Sequence, residues 1–184
     1  MTAVAADAID VPRRFGRRLR EPVNATLEWE PSLEDAYRTL APAVLGYYRS
    51  HRVDHAEDLV SDVFVSVARG LRRFRGDQLD LRRWVFAIAR RRMIDHHRWH
   101  RVRQHTSSGE PPEQAVVDAH RVLDVDLVDA LAQLTPLQRD VVILRFVGDL
   151  SIDDVARIVR RSPGAVKAAQ LRALTQLAGR LDSP

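Results

Sequence analysis

The chain has 184 residues and a formal net charge of +4 at neutral pH, a length that accommodates one domain or two small ones. It contains no cysteine, which excludes disulfide frameworks, thiolate metal sites and cysteine nucleophiles. Aromatic residues make up only 6%, and with 8 Gly and 9 Pro a many-turned β fold is disfavoured. The longest apolar run, residues 84–89, is too short to span a bilayer, and the amino-terminal residues lack the apolar stretch of a signal peptide. These features predict an all-α cytoplasmic protein with no membrane insertion.

The positive charge is concentrated in one part of the sequence. Residues 69–103 hold twelve Arg and three Asp, whereas residues 104–130 are net acidic. A strongly basic stretch of this kind suits a phosphate backbone. The alternative is a solvated helix face, but such faces usually intersperse charges of both signs.

The first elements along the chain are a tail and two helices. Residues 1–30 hold two prolines, show no helical periodicity and are followed directly by Pro31, which predicts a mobile N-terminal tail. A helix is predicted to begin at Ser32, because apolar residues then recur every three to four positions, and Pro42 should kink it. A second helix is predicted to begin at Asp54, whose capping partner would be Glu57, and it carries a continuous apolar stripe.

A loop, a third helix and a linker are predicted next. Residues 74–80 predict a loop, and the periodicity from Leu81 to Arg101 predicts a helix with its apolar residues inward and its arginines mostly outward. The three helices would form a first domain, residues 31–103. Residues 104–122 are rich in Ser, Gly and Pro, a composition typical of a flexible linker.

The remaining residues, 123–184, predict a second helical domain. Helix starts are indicated at Thr135, Ser151 and Ser162, each a capping residue followed by apolar periodicity. The last two helices are separated by about three residues. This arrangement matches a helix-turn-helix, whose second helix enters the major groove of DNA. A helical hairpin that packs against another protein is the alternative.

The basic helix also carries aromatic and histidine side chains. Trp84, Phe86 and Trp99 alternate with arginines, and a combination of phosphate contacts and base stacking suits single-stranded DNA, although the spacing of Trp84 favours a core position. His96 and His100 stand one helical turn apart, but the neighbouring arginines would repel a cation, so we expect no metal. The sequence shows no phosphate-binding glycine loop, Ser-His-Asp set or paired catalytic carboxylates, and we predict no enzymatic activity.

Several sequence motifs stand in a recognisable order. Residues 55–64 read HAEDLVSDVF, residues 74–77 read FRGD, residues 134–139 read LTPLQR and residues 164–167 read GAVK. In these motifs the chain resembles the extracytoplasmic-function (ECF) group of bacterial RNA polymerase sigma factors over about residues 32–181. The resemblance implies two small helical domains joined by a flexible linker, a region 2 helical bundle and a region 4 helix-turn-helix. It also implies a promoter-specificity subunit that recognises minus-35 and minus-10 elements and promotes DNA melting.

The same resemblance implies three sets of site residues. The set that docks on the clamp helices of the polymerase β′ subunit comprises Asp54, Glu57, Asp58, Val60, Ser61 and Phe64. The set that binds the minus-10 element and its melted strand comprises Phe74, Arg75, Gly76, Asp77, Gln78, Leu79, Asp80, Arg82, Arg83, Arg90, Arg91, Arg92, His96 and Arg98. The set that reads the duplex minus-35 element comprises Arg160, Arg161, Ser162, Pro163, Gly164, Ala165, Lys167, Ala168, Leu171 and Arg172. The polymerase β flap and an anti-sigma factor are further implied partners, and no cofactor or metal is implied.

Two other functions remain open at the level of the sequence. One is an autonomous regulator that binds duplex DNA through residues 131–181 without recruiting polymerase. The other is a histidine-centred metal hydrolase that acts on nucleic acid. The acidic stripe around Glu57 and Asp58 distinguishes the first of these, because only a polymerase subunit requires it for binding core enzyme.

Overall fold

The computed structural model describes the backbone of residues 31–106 and 125–181 and the side chains of residues 31–100 and 127–179. The predicted tail and all but residues 104–106 of the predicted linker lie outside the described residues. The described backbone forms seven α-helices and no β-strand, which confirms the all-α prediction. The helices are α1 (Leu33–Ser50), α2 (Ala56–Leu71), α3 (Gln78–Thr106), α4 (Val125–Ala132), α5 (Pro136–Phe146), α6 (Ile152–Val159) and α7 (Pro163–Leu181).

Four helices begin where the capping residues predict. The hydroxyl groups of Ser32, Thr135, Ser151 and Ser162 each accept a hydrogen bond from the backbone amide three residues further on. At Thr135 the partner glutamine also accepts from the cap amide, which completes a capping box. A cap satisfies amide groups that the first turn of a helix leaves without partners. The local sequence therefore determines these four boundaries.

The predicted start of α2 is wrong. The N-cap is His55, whose backbone is left-handed (φ 57°, ψ 45°) and whose side chain makes no capping hydrogen bond. Glu57 does not fold back onto the amide of Asp54, because its carboxylate instead accepts a hydrogen bond of 2.8 Å from Arg49 at the end of α1. A tertiary ion pair has replaced the local capping interaction.

Helix α3 is longer at both ends than predicted. It begins at Gln78 because the carboxylates of Asp77 and Asp80 each accept from the other residue's amide, at 2.8 and 3.3 Å. The reciprocal pair has the form of a capping box. At the other end α3 continues to Thr106, so residues 104–106, which the sequence assigned to the linker, are helical.

The helices pack in two groups that contact each other. Helices α1, α2 and α3 enclose Val44, Val63 and Val85, and helices α4 to α7 enclose Leu144 and Val166, all fully buried. Helices α1 and α3 also pack on α5 and α6, and the buried apolar residues form one continuous cluster. This packing brings the basic helix α3 directly against the second group. Among the described helices none is long and apolar enough to cross a membrane.

Candidate nucleic-acid interface

Helices α6 and α7 form a helix-turn-helix with one packed and one open face. The turn comprises residues 160–162, and Arg160 there adopts a left-handed conformation with φ 56°. Val166, Ala169 and Ala173 of α7 are buried, and they lie on the side that packs against α5 and α6. The opposite side of α7 is therefore free to enter a groove.

The residues predicted to read the minus-35 element all lie on or beside this open face. Ala165 and Ala168 are half-buried, and the others are exposed, namely Arg160, Arg161, Ser162, Pro163, Gly164, Lys167, Leu171 and Arg172. Ser162 caps the helix start, where unpaired amide groups favour an anion. Among the described residues no carboxylate lies within ion-pair distance of Lys167 or Arg172. Both cations are available to phosphate oxygens or to the guanine edge.

The arginines of α3 do not share one environment. Arg91 and Arg98 are exposed, as predicted, and each lies 3.9 Å from the carboxylate of Asp95. Arg92 is half-buried and donates to the hydroxyl of Ser66 in α2 at 3.0 Å. The expected outward direction therefore holds for only some of the basic residues.

Three arginines of α3 point toward the second group of helices, contrary to the predicted outward direction. The side chains of Arg82, Arg83 and Arg90 are only 22, 19 and 20% exposed. They lie along the side of α3 that packs on α6. The sequence could not indicate this burial, because arginines at helical spacing predict a solvated face.

Arg82 contacts the turn between α5 and α6, and Arg83 contacts the first turn of α6. Nη1 of Arg82 donates to the carbonyl of Gly148 at 3.4 Å and lies 3.7 Å from the carboxylate of Asp149. Nε of Arg83 lies 2.9 Å from Oδ1 of the fully buried Asp154, and its Nη1 donates to Asp80 at 2.7 Å. Burial lowers the pKa of Arg83, but contacts with these two carboxylates outweigh it and raise the pKa overall.

Asp140 of α5 is the centre of a buried polar cluster between the two groups. It is 4% exposed, and its carboxylate accepts hydrogen bonds from the hydroxyl of Tyr47 at 2.8 Å and from Nε of Arg90 at 3.0 Å. Nε2 of His51 lies 3.2 Å from the same carboxylate. Burial raises the pKa of Asp140, but His51, Arg90 and Tyr47 outweigh it and hold the pKa below its ordinary value. Asp140 is therefore a charged group whose partners come from α1, its C-cap residue His51 and α3.

The aromatic residues near the basic helix are mostly core. Trp84 and Phe86 are buried, which confirms the core position of Trp84 and makes both rings inaccessible to bases. Phe74 of the predicted base-capturing loop is also buried, and its ring stacks on Trp84 with a centroid distance of 5.4 Å. Trp99 is 54% exposed. The exposed residues beyond the Phe74 anchor run from Arg75 in the loop to Leu79 in the first turn of α3.

The predicted polymerase-docking residues divide between an exposed face and the core. Asp54, Glu57, Asp58 and Ser61 are exposed on or beside α2. Val60 and Phe64 are each 5% exposed, so they support this face from beneath and offer no contact surface of their own.

Sequence reasoning missed two exposed apolar side chains beside this acidic face. They are Tyr37, which is half exposed and packs edge-on against Phe64 at 4.8 Å, and Val65, which is 48% exposed. The sequence did not show whether these two side chains point toward the core or toward solvent. Tyr37 fits the apolar periodicity of α1, and only the packed structure shows that its ring remains exposed, whereas Val65 lies outside the apolar stripe of α2.

The histidines of α3 form a pair. The rings of His96 and His100 have centroids 4.2 Å apart. Burial lowers the pKa of His96, with further contributions from His100 and His97. In the part of the chain that the structure describes, no three His, Asp or Glu side chains are close enough together to hold a metal ion.

In the described residues, a helix-turn-helix whose second helix has an exposed cationic face is an arrangement typical of DNA-binding proteins. The sigma-70 region 2 family matches residues 36–103, and the sigma-70 region 4 family matches residues 124–177. RNA polymerase sigma factor YlaC of Bacillus subtilis is 31% identical over 79% of this chain and 90% of its own length. The ECF RNA polymerase sigma factor BldN of Streptomyces coelicolor is 33% identical over 72% of this chain, which spans about half (53%) of that relative.

A solved structure is similar as well. The sigma factor RpoE of Bartonella quintana, crystallised in complex with the anti-sigma factor NepR, is 26% identical with a TM-score of 0.68, over 82% of this chain and 96% of that chain. The ECF RNA polymerase sigma factor SigC of Mycobacterium tuberculosis is 31% identical over 93% of this chain and 87% of its own length. The chain belongs to the ECF family of RNA polymerase sigma factors, proteins of transcription initiation.

Proposed function

We propose that this chain is a promoter-specificity subunit that binds core RNA polymerase, recognises the minus-35 and minus-10 elements and promotes melting between them. The main support for the proposal is the exposed cationic face of α7, the second helix of the helix-turn-helix. The opposite face of α7 packs against α5 and α6. A basic helix, α3, accompanies it in the same molecule. Together the two provide one surface for duplex DNA and one for a separated strand.

Recognition of the minus-35 element would use the start and the outer side of α7. Arg160 and Arg161 precede the helix, where they suit phosphate contacts, and Ser162 orients the free amide groups of the first turn. Lys167 and Arg172 follow at positions that face away from the core. Their donors suit O6 and N7 of guanine, the most frequent specific contact in the major groove.

Recognition of the minus-10 element would use the exposed loop before α3 and the arginines of that helix. The Phe74–Trp84 stack anchors the loop from within, while Gln78 and Leu79 in the first turn of α3 remain exposed to an unstacked base. Unstacking a base costs a few kcal/mol, which base capture and phosphate contacts would offset. The protein then promotes melting through binding alone, and no covalent step by this chain is required.

Docking on polymerase would use the exposed acidic face of α2. Asp58 and Ser61 lie there, and the buried Val60 and Phe64 fix the face in position. The clamp helices of β′ and the β flap are the expected contacts on the core enzyme. RpoE was solved bound to an anti-sigma factor, and we propose that a protein of that class controls this cytoplasmic chain as well.

Run-off transcription with core polymerase on genomic fragments tests the proposal. Start sites at defined nucleotides are expected, and their upstream sequences give the two promoter elements. Lys167→Ala and Arg172→Ala should each weaken duplex binding by about 1–3 kcal/mol while binding to core enzyme is retained. Arg38→Ala removes the same charge from an exposed site on α1 and serves as the control.

A pull-down with core polymerase separates this function from that of an autonomous regulator. Asp58→Arg should abolish retention of the chain on core enzyme, whereas Glu34→Arg, an equal charge reversal at an 86% exposed side chain, should not. If the natural chain binds duplex DNA but is never retained on core enzyme, it is an autonomous regulator and the proposed function is wrong.

A further inference from the structure

One basic motif of the sequence takes no part in the proposed function. Residues 13–20 read RRFGRRLR, and they precede the residues that the structure describes. The five arginines of this arginine segment are Arg13, Arg14, Arg17, Arg18 and Arg20. We propose that the arginine segment docks on the outer face of α1 and α2 in the same molecule and competes there with core polymerase. The docking is independent of the proposed function, whereas the competition rests on the proposed role of α2 in binding polymerase.

The outer face of α1 and α2 combines exposed apolar side chains with acidic ones. Leu33 and Tyr37 lie one turn apart on α1, and Val65 lies on α2, all three exposed. Asp58 and Asp62 lie one turn apart on α2 and are exposed as well. The ring of Tyr37 packs edge-on against α2, so the apolar residues of α1 lie beside this part of α2. Such a face suits a segment that is cationic and also carries apolar residues, here Phe15 and Leu19.

The acids of this face differ in whether the folded helices already provide them with a cation. Glu57 accepts a hydrogen bond from Arg49 at 2.8 Å, and this contact lowers the pKa of Glu57. Among the described residues no cation lies within ion-pair distance of Asp58 or Asp62. These two carboxylates are open to a cation from outside the described helices, and a guanidinium group can pair with a carboxylate through two parallel hydrogen bonds.

The connection between the arginine segment and α1 is long enough for the segment to reach this face. Residues 21–32, twelve in number, join the segment to the start of α1. Twelve extended residues span at most about 40 Å. Helix α2 has 16 residues and is therefore about 24 Å long. Its second half lies beside the start of α1, as the contact of Tyr37 shows, so both open carboxylates are within reach.

The covalent connection makes even a weak interaction effective. A short linker gives an effective concentration of about 1 mM. A dissociation constant of about 0.1 mM then suffices to place the arginine segment on the face in about nine of ten molecules. Core polymerase would bind such a chain about tenfold more weakly than a chain without the segment, because only the remaining molecules present a free face.

Paramagnetic broadening in the full-length chain tests the docking. The sequence has no cysteine, so Gly16→Cys introduces a single thiol for a spin label without removing an arginine. The backbone amide signals of residues 58–65 should broaden at about 0.05 M salt, and the broadening should decrease at about 0.5 M, since salt screens contacts between exposed charges. The amides of residues 167–172, on the cationic outer side of α7, should not broaden.

Charge variants of the segment and of the face supply the controls. Glutamine at all five arginine positions should abolish the broadening, whereas lysine at the same positions keeps the charge and should retain most of it. Asp62→Asn removes one open carboxylate of the face and should reduce the broadening. Asp153→Asn removes an exposed acid from α6 and should leave it unchanged. Circular dichroism verifies the fold of each variant.

Titration of core polymerase with these chains tests the competition. The glutamine variant should bind core enzyme about tenfold more tightly than the natural chain and the lysine variant. Equal binding of all three would overturn the competition.

The remaining outcomes separate this inference from the proposed function. Sharp signals from residues 58–65 at low salt would overturn the docking. Broadening in an isotope-labelled chain without a spin label, mixed with spin-labelled chains, would assign the contact to a second copy and overturn docking within one molecule. Broadening within the natural chain, in a protein of which no variant binds core enzyme, would support the docking and contradict the proposed function instead.

Discussion

Tyr47 and Tyr48 are adjacent, equally buried and different in what their hydroxyl groups contact. Tyr47 donates to the charged carboxylate of Asp140 across the two helix groups, whereas Tyr48 donates to the neutral carbonyl of Ala89 within the first group at 3.0 Å. Hydrogen bonds to charged groups contribute about 1.5–3 kcal/mol, and neutral ones about 0.5–1.5 kcal/mol. Tyr47→Phe should therefore lower the free energy of unfolding more than Tyr48→Phe, as measured by urea denaturation. If both variants lose the same free energy of unfolding, the hydrogen bond from Tyr47 to Asp140 is no stronger than the neutral one from Tyr48.

Asp140 gives the molecule a specific response to acid. Because its pKa is lowered in the folded chain, its contribution to stability is present above the ordinary carboxyl pKa and is lost as pH falls through the lowered value. The natural chain should thus be more stable than Asp140→Asn at neutral pH, and the difference should shrink as the solution is acidified below the ordinary carboxyl range. Parallel urea titrations of the two proteins across that range measure this difference. A gap that stays constant with pH would contradict the ionised, paired state of Asp140.

The exposure of single side chains was predicted well where the packing of one helix determines it. It was predicted poorly where the two helix groups contact each other. The open cations of α7 follow from its own apolar spacing, since Val166, Ala169 and Ala173 define the buried side. The burial of Arg90 follows from a carboxylate 50 residues further along the chain. No local pattern records such a pairing.

Two glycines of the helix-turn-helix region should respond oppositely to the same substitution. A Cβ on Gly148, in the turn between α5 and α6, would lie 2.7 Å from the backbone carbonyl oxygen of Leu144, while a Cβ on Gly164 in α7 would meet nothing within 4 Å. Gly148→Ala should cost about 1–3 kcal/mol through backbone displacement. Gly164→Ala should gain up to about 1 kcal/mol, because alanine loses less conformational entropy in a helix. Thermal unfolding of both variants checks the opposite signs, and a stabilised Gly148→Ala would show that the turn has room to move.

Helix starts were predictable at the four residues whose hydroxyl group caps the helix, although the local Asp77–Asp80 pair that begins α3 was missed. Ser32, Thr135, Ser151 and Ser162 start their helices as expected, since each needs only an amide three residues ahead. The start of α2 was wrong because Glu57 has a better partner in Arg49, which belongs to another helix. In α2, unlike in these four helices, a tertiary contact competes with the local one.

The two helix groups of the whole molecule share one buried cluster, and this predicts that their unfolding is coupled. Trp84 lies in the first group and Leu144 in the second, both buried. Leu144→Ala should destabilise the second group by about 2–5 kcal/mol through the cavity it leaves. When that group unfolds, the first group loses its contacts with α5 and α6, so the fluorescence transition of Trp84 should move to lower urea as well.

The measurement requires a chain in which Trp84 is the only tryptophan, obtained by Trp29→Phe and Trp99→Phe. Leu144→Ala can destabilise the first group only by removing its contacts with the second group. The shift of the Trp84 transition therefore cannot exceed the free energy of those contacts, and it sets a lower bound on that free energy. Adding Asp140→Asn to Leu144→Ala removes part of that coupling, and the further shift caused by Leu144→Ala should then become smaller. If the Trp84 midpoint stays at its original urea concentration in the Leu144→Ala chain, the groups unfold independently, and the ion pairs of Arg82, Arg83 and Arg90 do not couple the two helix groups.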